Sequence, residues 1–230
     1  KIYQNNFYYK KLMNLSEHQE AKLQAKGHIY WIDKKSNNIY KIYKKFNLLD
    51  DLKDIEKRLS QIVKLSSSMD FIPQTNYFYE EDLLVMKQKC LINKKKLKEI
   101  DPSEKIKLIK KFAQSLDKLY AEEFVHGDIN RKNIIYSENN LFLIDFEPSL
   151  LQIKDQTKQW MSTRPYRHHA DIQNNNITAK SDFLGFACFA KWFLFNSNCP
   201  QHYVKECSKI ITNLKFQSSP YQNLIKLFAN

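Results

Sequence analysis

His126-Gly127-Asp128-Ile129-Asn130-Arg131-Lys132-Asn133, followed ten residues later by Leu143-Ile144-Asp145-Phe146-Glu147, is the most informative stretch of the chain. Asp128 and Asn133 stand five positions apart, and Asp145 comes twelve residues after that Asn. Between them the apolar runs Ile134–Tyr136 and Leu141–Ile144 flank the polar Ser137–Asn140, which is the pattern of a short hairpin. A hairpin returns the chain to where it began, so three oxygen-bearing side chains converge from the loop and the hairpin it feeds. Asp and Asn oxygens are hard ligands of the kind that hold Mg²⁺, a cation that takes one or two carboxylates and leaves other positions to phosphate.

Working outward, Asp101-Pro102-Ser103-Glu104 reads as a helix start, with a capping Asp, Pro at the first helical position and an acid in the first turn. Ile106, Ile109, Phe112, Leu116 and Leu119 give that helix its expected buried face. Thr178 to Phe195 is apolar nearly all round and predicts a central helix. Towards the front of the chain, His28–Ile32 and Ile39–Tyr43 are extended runs separated by the polar turn Asp33–Asn38. Leu52, Ile55, Leu59, Ile62 and Val63 then recur at helical spacing, and Asp70 to Met86 returns to strand character around a turn at Tyr79–Asp82. Residues 1–86 therefore read as a small sheet with one helix, and residues 87–230 as a mostly helical region. The fold class expected is α+β with two lobes, and a ligand cleft between lobes is the natural expectation.

Composition narrows the function classes. The chain has 230 residues, 43% of them hydrophobic and 27% charged, which is globular and long enough to bury a core. Only 3 Gly and 6 Pro argue against a collagen-like, linker-rich or disordered chain. The longest apolar run, Phe183 to Phe195, is interrupted by Lys191 and falls short of the roughly 20 residues a membrane span needs. The net charge of +12 raises the question of nucleic acid. Almost all of that charge is Lys, with Arg only at 58, 131, 164 and 167, whereas planar recognition of phosphate and bases favours Arg. The charge reads as compositional bias, against nucleic-acid binding. Cys90, Cys188, Cys199 and Cys207 lack the paired spacing of a zinc site, and a reducing compartment is the expectation. No signal-peptide pattern opens the chain at Lys1, any targeting segment upstream would be invisible, and the location is left unknown, of a soluble cytosolic type.

HGDxxxxN, then a hairpin, then DFE resembles the catalytic loop and magnesium loop of the protein-kinase-like superfamily, whose patterns read HRDxxxxN and DFG. Either fragment alone is common; in order, with a helix before and a hairpin between, they are specific. The resemblance extends over roughly Gly27 to Phe195 and implies a bilobal kinase fold with a β-rich first lobe, one helix, and a reduced helical second lobe. It implies ATP and Mg²⁺ as cofactors and a protein substrate, and the departures from its pattern imply a protein either constitutively on or gated by an activating partner protein. Asp128 would accept or orient the substrate hydroxyl proton, and Asn133 and Asp145 would hold Mg²⁺. Lys41, in Ile39-Tyr40-Lys41-Ile42-Tyr43, would position ATP, with Glu56 on the next helix as its ion-pair partner. Gly27 fits the last glycine of the phosphate-covering loop. Met86 would be the gatekeeper, and the backbone of Lys87, Gln88 and Lys89 would meet adenine. Ser162-Thr163-Arg164-Pro165-Tyr166 resembles the end of the activation segment. Asp182 would brace the catalytic loop, and His126 would pack with Phe146 behind the site.

Each residue has a plainer reading as well. Lys41 could be a solvated strand Lys, Glu56 a helix-surface acid pairing with Lys53, and Asp182 an acid favoured by a helix N-terminus. The departures from the family pattern also point somewhere. Lys22 to Lys26 supply none of the other loop glycines, Glu147 replaces the glycine of DFG, and Gly127 replaces the arginine of HRD. Losing that arginine argues against control through phosphorylation of Thr163. Only 35 residues follow Phe195, and this economy resembles compact kinases such as bacterial effectors or toxins, including ones delivered into a host cell. A Ser/Thr protein kinase is the leading expectation. A kinase-like small-molecule phosphotransferase and a pseudokinase binding module are the alternatives.

Overall fold

The computed structural model describes residues 20–23, 28–33, 36–43, 49–80, 83–91, 95–146, 152–154, 157–159, 166–174, 176–195, 201–213 and 218–228. The chain divides into two compact units, Lys1–Ser68 with Pro73–Cys90, and Met69–Ile72 with Leu91–Asn230.

The first unit is a five-stranded antiparallel sheet with one helix. Its strands are β1 (Glu20–Leu23), β2 (His28–Asp33), β3 (Asn38–Tyr43), β4 (Thr75–Glu80) and β5 (Leu83–Lys89), in the order β1-β2-β3-β5-β4. The β2–β3 turn closes at Asn37, whose φ of 54° lies in the left-handed region that Asn tolerates. The interior strand β5 opens with an apolar run that faces both sides of the sheet, and Leu84, Val85 and Met86 are all fully buried. Helix α1 (Leu49–Ser68) buries Leu59, Ile62 and Leu65 at spacings of three and packs on β4 and β5. It ends in three serines whose hydroxyls donate back to the carbonyls of Val63, Lys64 and Leu65, competing with continuation of the helix.

The second unit is built on helices α2 (Pro102–Ala121), α3 (His169–Gln173), α4 (Ala179–Phe195), α5 (Gln201–Asn213) and α6 (Pro220–Phe228). It carries two small hairpins, β6 (Ile134–Ser137) with β7 (Asn140–Leu143), and β8 (Gln152–Lys154) with β9 (Thr157–Gln159). The Asp101 carboxylate caps α2 by accepting the Ser103 N–H at 2.9 Å and the Ser103 hydroxyl at 2.7 Å. The β6–β7 turn is a two-residue link in which Glu138 and Asn139 take φ of 51° and 58°, the backbone that twists correctly into a tight hairpin. Leu143 N–H then donates to Phe71 O at 2.9 Å, which ties the Met69–Ile72 segment to this unit.

Helix α4 is the centre of the second unit, with every residue from Ser181 to Ala190 buried. Phe112 of α2 meets Phe186 and Phe189 of α4 at ring separations of 6.2 and 6.1 Å, and Phe71 edge-on at 5.9 Å. Tyr221 of α6 packs edge-on against Phe183 and Phe186. Asp117 of α2 caps α6, taking the Tyr221 N–H at 2.9 Å and the Gln222 amide at 3.0 Å. Burial raises the Asp117 carboxyl above its ordinary range, against the pull of those two donors.

One expected core position is corrected. Ile106 is 48% exposed, and Leu108 and Ala113 are buried on the α2 face instead. At about 100° per residue, 105, 108, 109, 112, 116 and 119 share a stripe and residue 106 lies off its edge. Lys105 takes a place in that stripe with its ammonium 5.5 Å from the Phe193 ring centroid, and burial lowers its pKa. Among the described residues, no helix is long and apolar enough to cross a membrane.

Candidate active site

In the first unit, Lys41 sits in the middle of β3 and is 6% exposed. It pairs across the sheet with Met86 of β5, which in turn pairs with Tyr77 of β4. Directly opposed residues share a face, so Lys41, Met86 and Tyr77 lie on one side of the sheet. Tyr77 and Tyr79 reach α1 from that side, to the Ser60 hydroxyl at 2.9 Å and the Glu56 carboxylate at 2.8 Å. The ammonium therefore belongs to the helix-facing side of a central strand, where an unpaired charge would be costly.

One expected pairing in this unit is not found among the described contacts. The described partner of Glu56 is the Tyr79 hydroxyl of the edge strand, not Lys41. Tyr79 reaches the carboxylate first because β4 is the strand α1 packs against most closely. Burial and the Glu56 carboxylate raise the Tyr79 pKa, so the phenol stays a proton donor. The backbone of Lys87, Gln88 and Lys89, expected to meet adenine, lies within the sheet. These residues continue β5 between β3 and β4, Lys89 N–H donates to Gln74 O at 2.8 Å, and Cys90 N–H donates to Asn37 O at 2.9 Å. A strand paired on both sides has its alternating backbone groups already bonded. Gln88 is buried and donates its side-chain amide to Thr75 Oγ1 at 3.1 Å. Gly27 lies outside the described residues, as do Glu147 and Ser162 to Pro165; Tyr166, at the end of that stretch, is described and half-buried.

In the second unit, the loop from His126 to Asn133 is held by hydrogen bonds to its own backbone. The Asp182 carboxylate, 2% exposed at the start of α4, accepts the N–H groups of His126 and Gly127, both at 2.7 Å. Gly127 takes φ of 84°, and a Cβ there would lie 2.9 Å from Ile177 Cγ2, so both backbone and space require glycine. The Asn133 amide donates to Asp128 O at 2.9 Å and to Asp128 Oδ2 at 3.1 Å. Asn130 bridges the same loop, donating to Asp128 O at 3.0 Å and accepting Lys132 N–H at 2.8 Å.

Ile144 links this loop to the second acid. Its N–H donates to Asn133 O at 2.9 Å, and its carbonyl meets His126 Nε2 at 3.0 Å. Asp145 is the next residue, and it takes φ of 67°, a left-handed backbone that a non-glycine residue holds only when its surroundings impose it. His126 Nδ1 accepts the Asp128 N–H at 3.1 Å, and its ring stands edge-on to the fully buried Phe146 at 4.7 Å. One imidazole thus ties Asp128, Ile144 and Phe146 together. Asp128, Asn133, His126, Phe146 and Asp182 form a single hydrogen-bonded and packed group, and Asp145 stands in the chain between Ile144 and Phe146, both held by His126.

Metal fit follows from this donor set. Among the described residues no cluster of three or more His, Cys, Asp or Glu is assembled. Two carboxylates and an amide oxygen are too few for an all-protein cage. They suit a cation that keeps positions for water and substrate phosphate, as Mg²⁺ does.

Sequence reasoning missed two features. Asp171 of α3 is 3% exposed and gathers the Thr178 N–H and hydroxyl at 2.9 and 2.8 Å and the Ser181 hydroxyl at 2.5 Å. It joins α3 to the start of α4, and an acid followed by Thr and Ser at seven and ten positions was the available signal. The other is Gly185, where a Cβ would fall 2.1 Å from Ile129 O. Helix α4 touches the loop backbone there, a contact that no local pattern announces.

A protein kinase domain family model matches residues 19–226, nearly the whole chain. The chain belongs to the protein kinase family. Its antiparallel-sheet first region and helical second region are the mixed α+β arrangement of a compact kinase fold. Membership places it among kinase phosphotransferases; domains of this family generally use ATP and Mg²⁺, and they imply protein substrates. Comparison with curated proteins gives no match.

Proposed function

We propose that the protein is an active ATP- and Mg²⁺-dependent kinase that transfers phosphate to a protein hydroxyl, Ser or Thr in the first instance. The observation that carries this reading is the hold on Asp128. Its carbonyl and one carboxylate oxygen are taken by Asn133, its N–H by His126, and the backbone before it by Asp182. A carboxylate so constrained suits a base that must meet a hydroxyl in one orientation.

The roles divide as follows. Asp128 orients the acceptor hydroxyl and takes its proton as the bond from that oxygen to the γ-phosphorus forms and the bond from the γ-phosphorus to the departing ADP oxygen breaks. Asn133 and Asp145 supply oxygens to Mg²⁺, which when bound neutralises phosphate charge. Lys41 contributes a cation to the nucleotide phosphates. Asp182, His126 and Phe146 position the loop and touch no substrate. Phosphoryl transfer asks little covalent help from a protein, so placement and charge neutralisation account for most of the rate.

A partner-gated form is a second reading, favoured by one observation, the Glu56–Tyr79 hydrogen bond. A protein that moved α1 would release Glu56 for Lys41.

Thermal unfolding tests the nucleotide part of this proposal. ATP with Mg²⁺ at a hundredfold excess over its dissociation constant adds about 2.7 kcal/mol, a rise of several degrees for a chain of this size. Asp145→Asn should remove most of the Mg²⁺-dependent part of that rise. No rise in wild type at millimolar ATP and Mg²⁺ contradicts the proposal.

A further inference from the structure

We propose that Arg131 and Lys132 make the loop an anion-reading surface, so that the acceptor segments it selects carry Asp or Glu beside the target hydroxyl. This rests on the phosphotransferase reading above and names its substrate class. Both side chains are exposed and lie three and four residues after Asp128. A chain spans at most about 3.6 Å per residue, so their Cα atoms lie within about 15 Å of the Asp128 Cα. The loop between is not slack, because Asn130 bonds Asp128 O on one side and the Lys132 N–H on the other.

Neither cation has a carboxylate partner among the described residues, in contrast to Lys111 with Asp70 and Lys191 with Glu206. Arg131 is instead placed by an aromatic ring. Its guanidinium carbon sits 5.9 Å from the ring centroid of Trp192, which is 7% exposed on α4. A ring face fixes a guanidinium without cancelling its charge. Two positive charges therefore stand on the same braced loop as Asp128, the base that meets the acceptor hydroxyl. A segment offering carboxylates a few residues from its hydroxyl gains attraction there, and a basic segment is repelled.

The test uses the full chain and three synthetic peptides, each with one Ser flanked by Asp/Glu, by Ala/Gly or by Lys. Binding is read by fluorescence anisotropy without nucleotide, and transfer by steady-state kinetics. Two exposed pairs predict roughly fivefold tighter binding of the acidic peptide over the neutral one, lost at about 0.5 M salt. Arg131→Glu/Lys132→Glu should invert the order of acidic and basic peptides and raise the peptide KM while leaving the ATP KM in place. A charge-matched control on α2, Lys107→Glu/Lys110→Glu, should leave the order unchanged. Selective binding without phosphate transfer supports the surface while counting against the phosphotransferase reading. Equal binding of the three peptides, an equal effect of both double variants, a shift in ATP KM alone, or equally tight binding of a single-stranded oligonucleotide of the same length overturns the proposal.

Discussion

Asp182 accepts two buried N–H groups of the loop that carries Asp128. Asp182→Ala leaves both donors unsatisfied, at about 1–3 kcal/mol each. A loss of about 2–6 kcal/mol in unfolding free energy, read as a lower urea midpoint, is expected together with loss of transfer; an unchanged midpoint contradicts the bracing role. This residue was legible from its place at the start of an otherwise apolar helix, where an acid favoured by the helix N-terminus was the competing reading. Gly127 was legible only as an absence of arginine. That its φ and the nearness of Ile177 demand glycine depends on how the loop lies against residue 177, fifty positions away. Glu56 shows the opposite case. Helical spacing placed it on the correct helix, but which of its neighbours it meets depends on the reach of a Tyr from an edge strand, and no local signal encodes that.

At the scale of elements, the contact between α4 and the loop is set by the missing side chain of Gly185. Gly185→Ala puts a Cβ where Ile129 O stands, and overpacking of this kind costs about 1–3 kcal/mol. Thermal unfolding should fall by several degrees, and activity should fall with it even at temperatures where the variant is folded. Unchanged stability and activity would mean that α4 does not position the loop. His168 gives α3 a pH dependence. It caps that helix by accepting the Ala170 N–H at 3.3 Å, meets Thr212 Oγ1 at 3.2 Å, and is 1% exposed. Burial, then the neighbouring His169, holds its pKa below the ordinary 6.5, with Asp171 opposing and Lys180 adding to the effect. The unfolded chain therefore binds the proton first, so stability is full above about pH 6.5 and declines as pH falls below it. His168→Asn keeps a capping acceptor and should show a smaller loss of melting temperature between pH 7.5 and 5.5. An identical loss would remove His168 as the cause. Elements with strong termini or periodicity, such as α2 behind Asp101-Pro102 and the β6–β7 hairpin, were legible within a residue or two. The three-residue strands β8 and β9 were not, because Gln152–Lys154 and Thr157–Gln159 alternate too little to be told from a loop.

At the scale of the whole molecule, the family and the α+β division were legible because the two decisive motifs stand in order along the chain, which any fold of this family must preserve. Where β5 ends was not. A gatekeeper-like Met suggested that the strand stops at 86, whereas pairing on both sides carries it to Lys89 and the first unit to Cys90. The net charge of +12 comes almost wholly from Lys and is not explained by the fold. The account as a whole is tested by incubating the protein with γ-labelled ATP and Mg²⁺, with and without a cell lysate, beside Asp128→Ala. Label on protein Ser or Thr that falls at least a hundredfold in the variant is the predicted result, in line with loss of a general base. Label confined to small molecules, or equal labelling by wild type and Asp128→Ala, would contradict it.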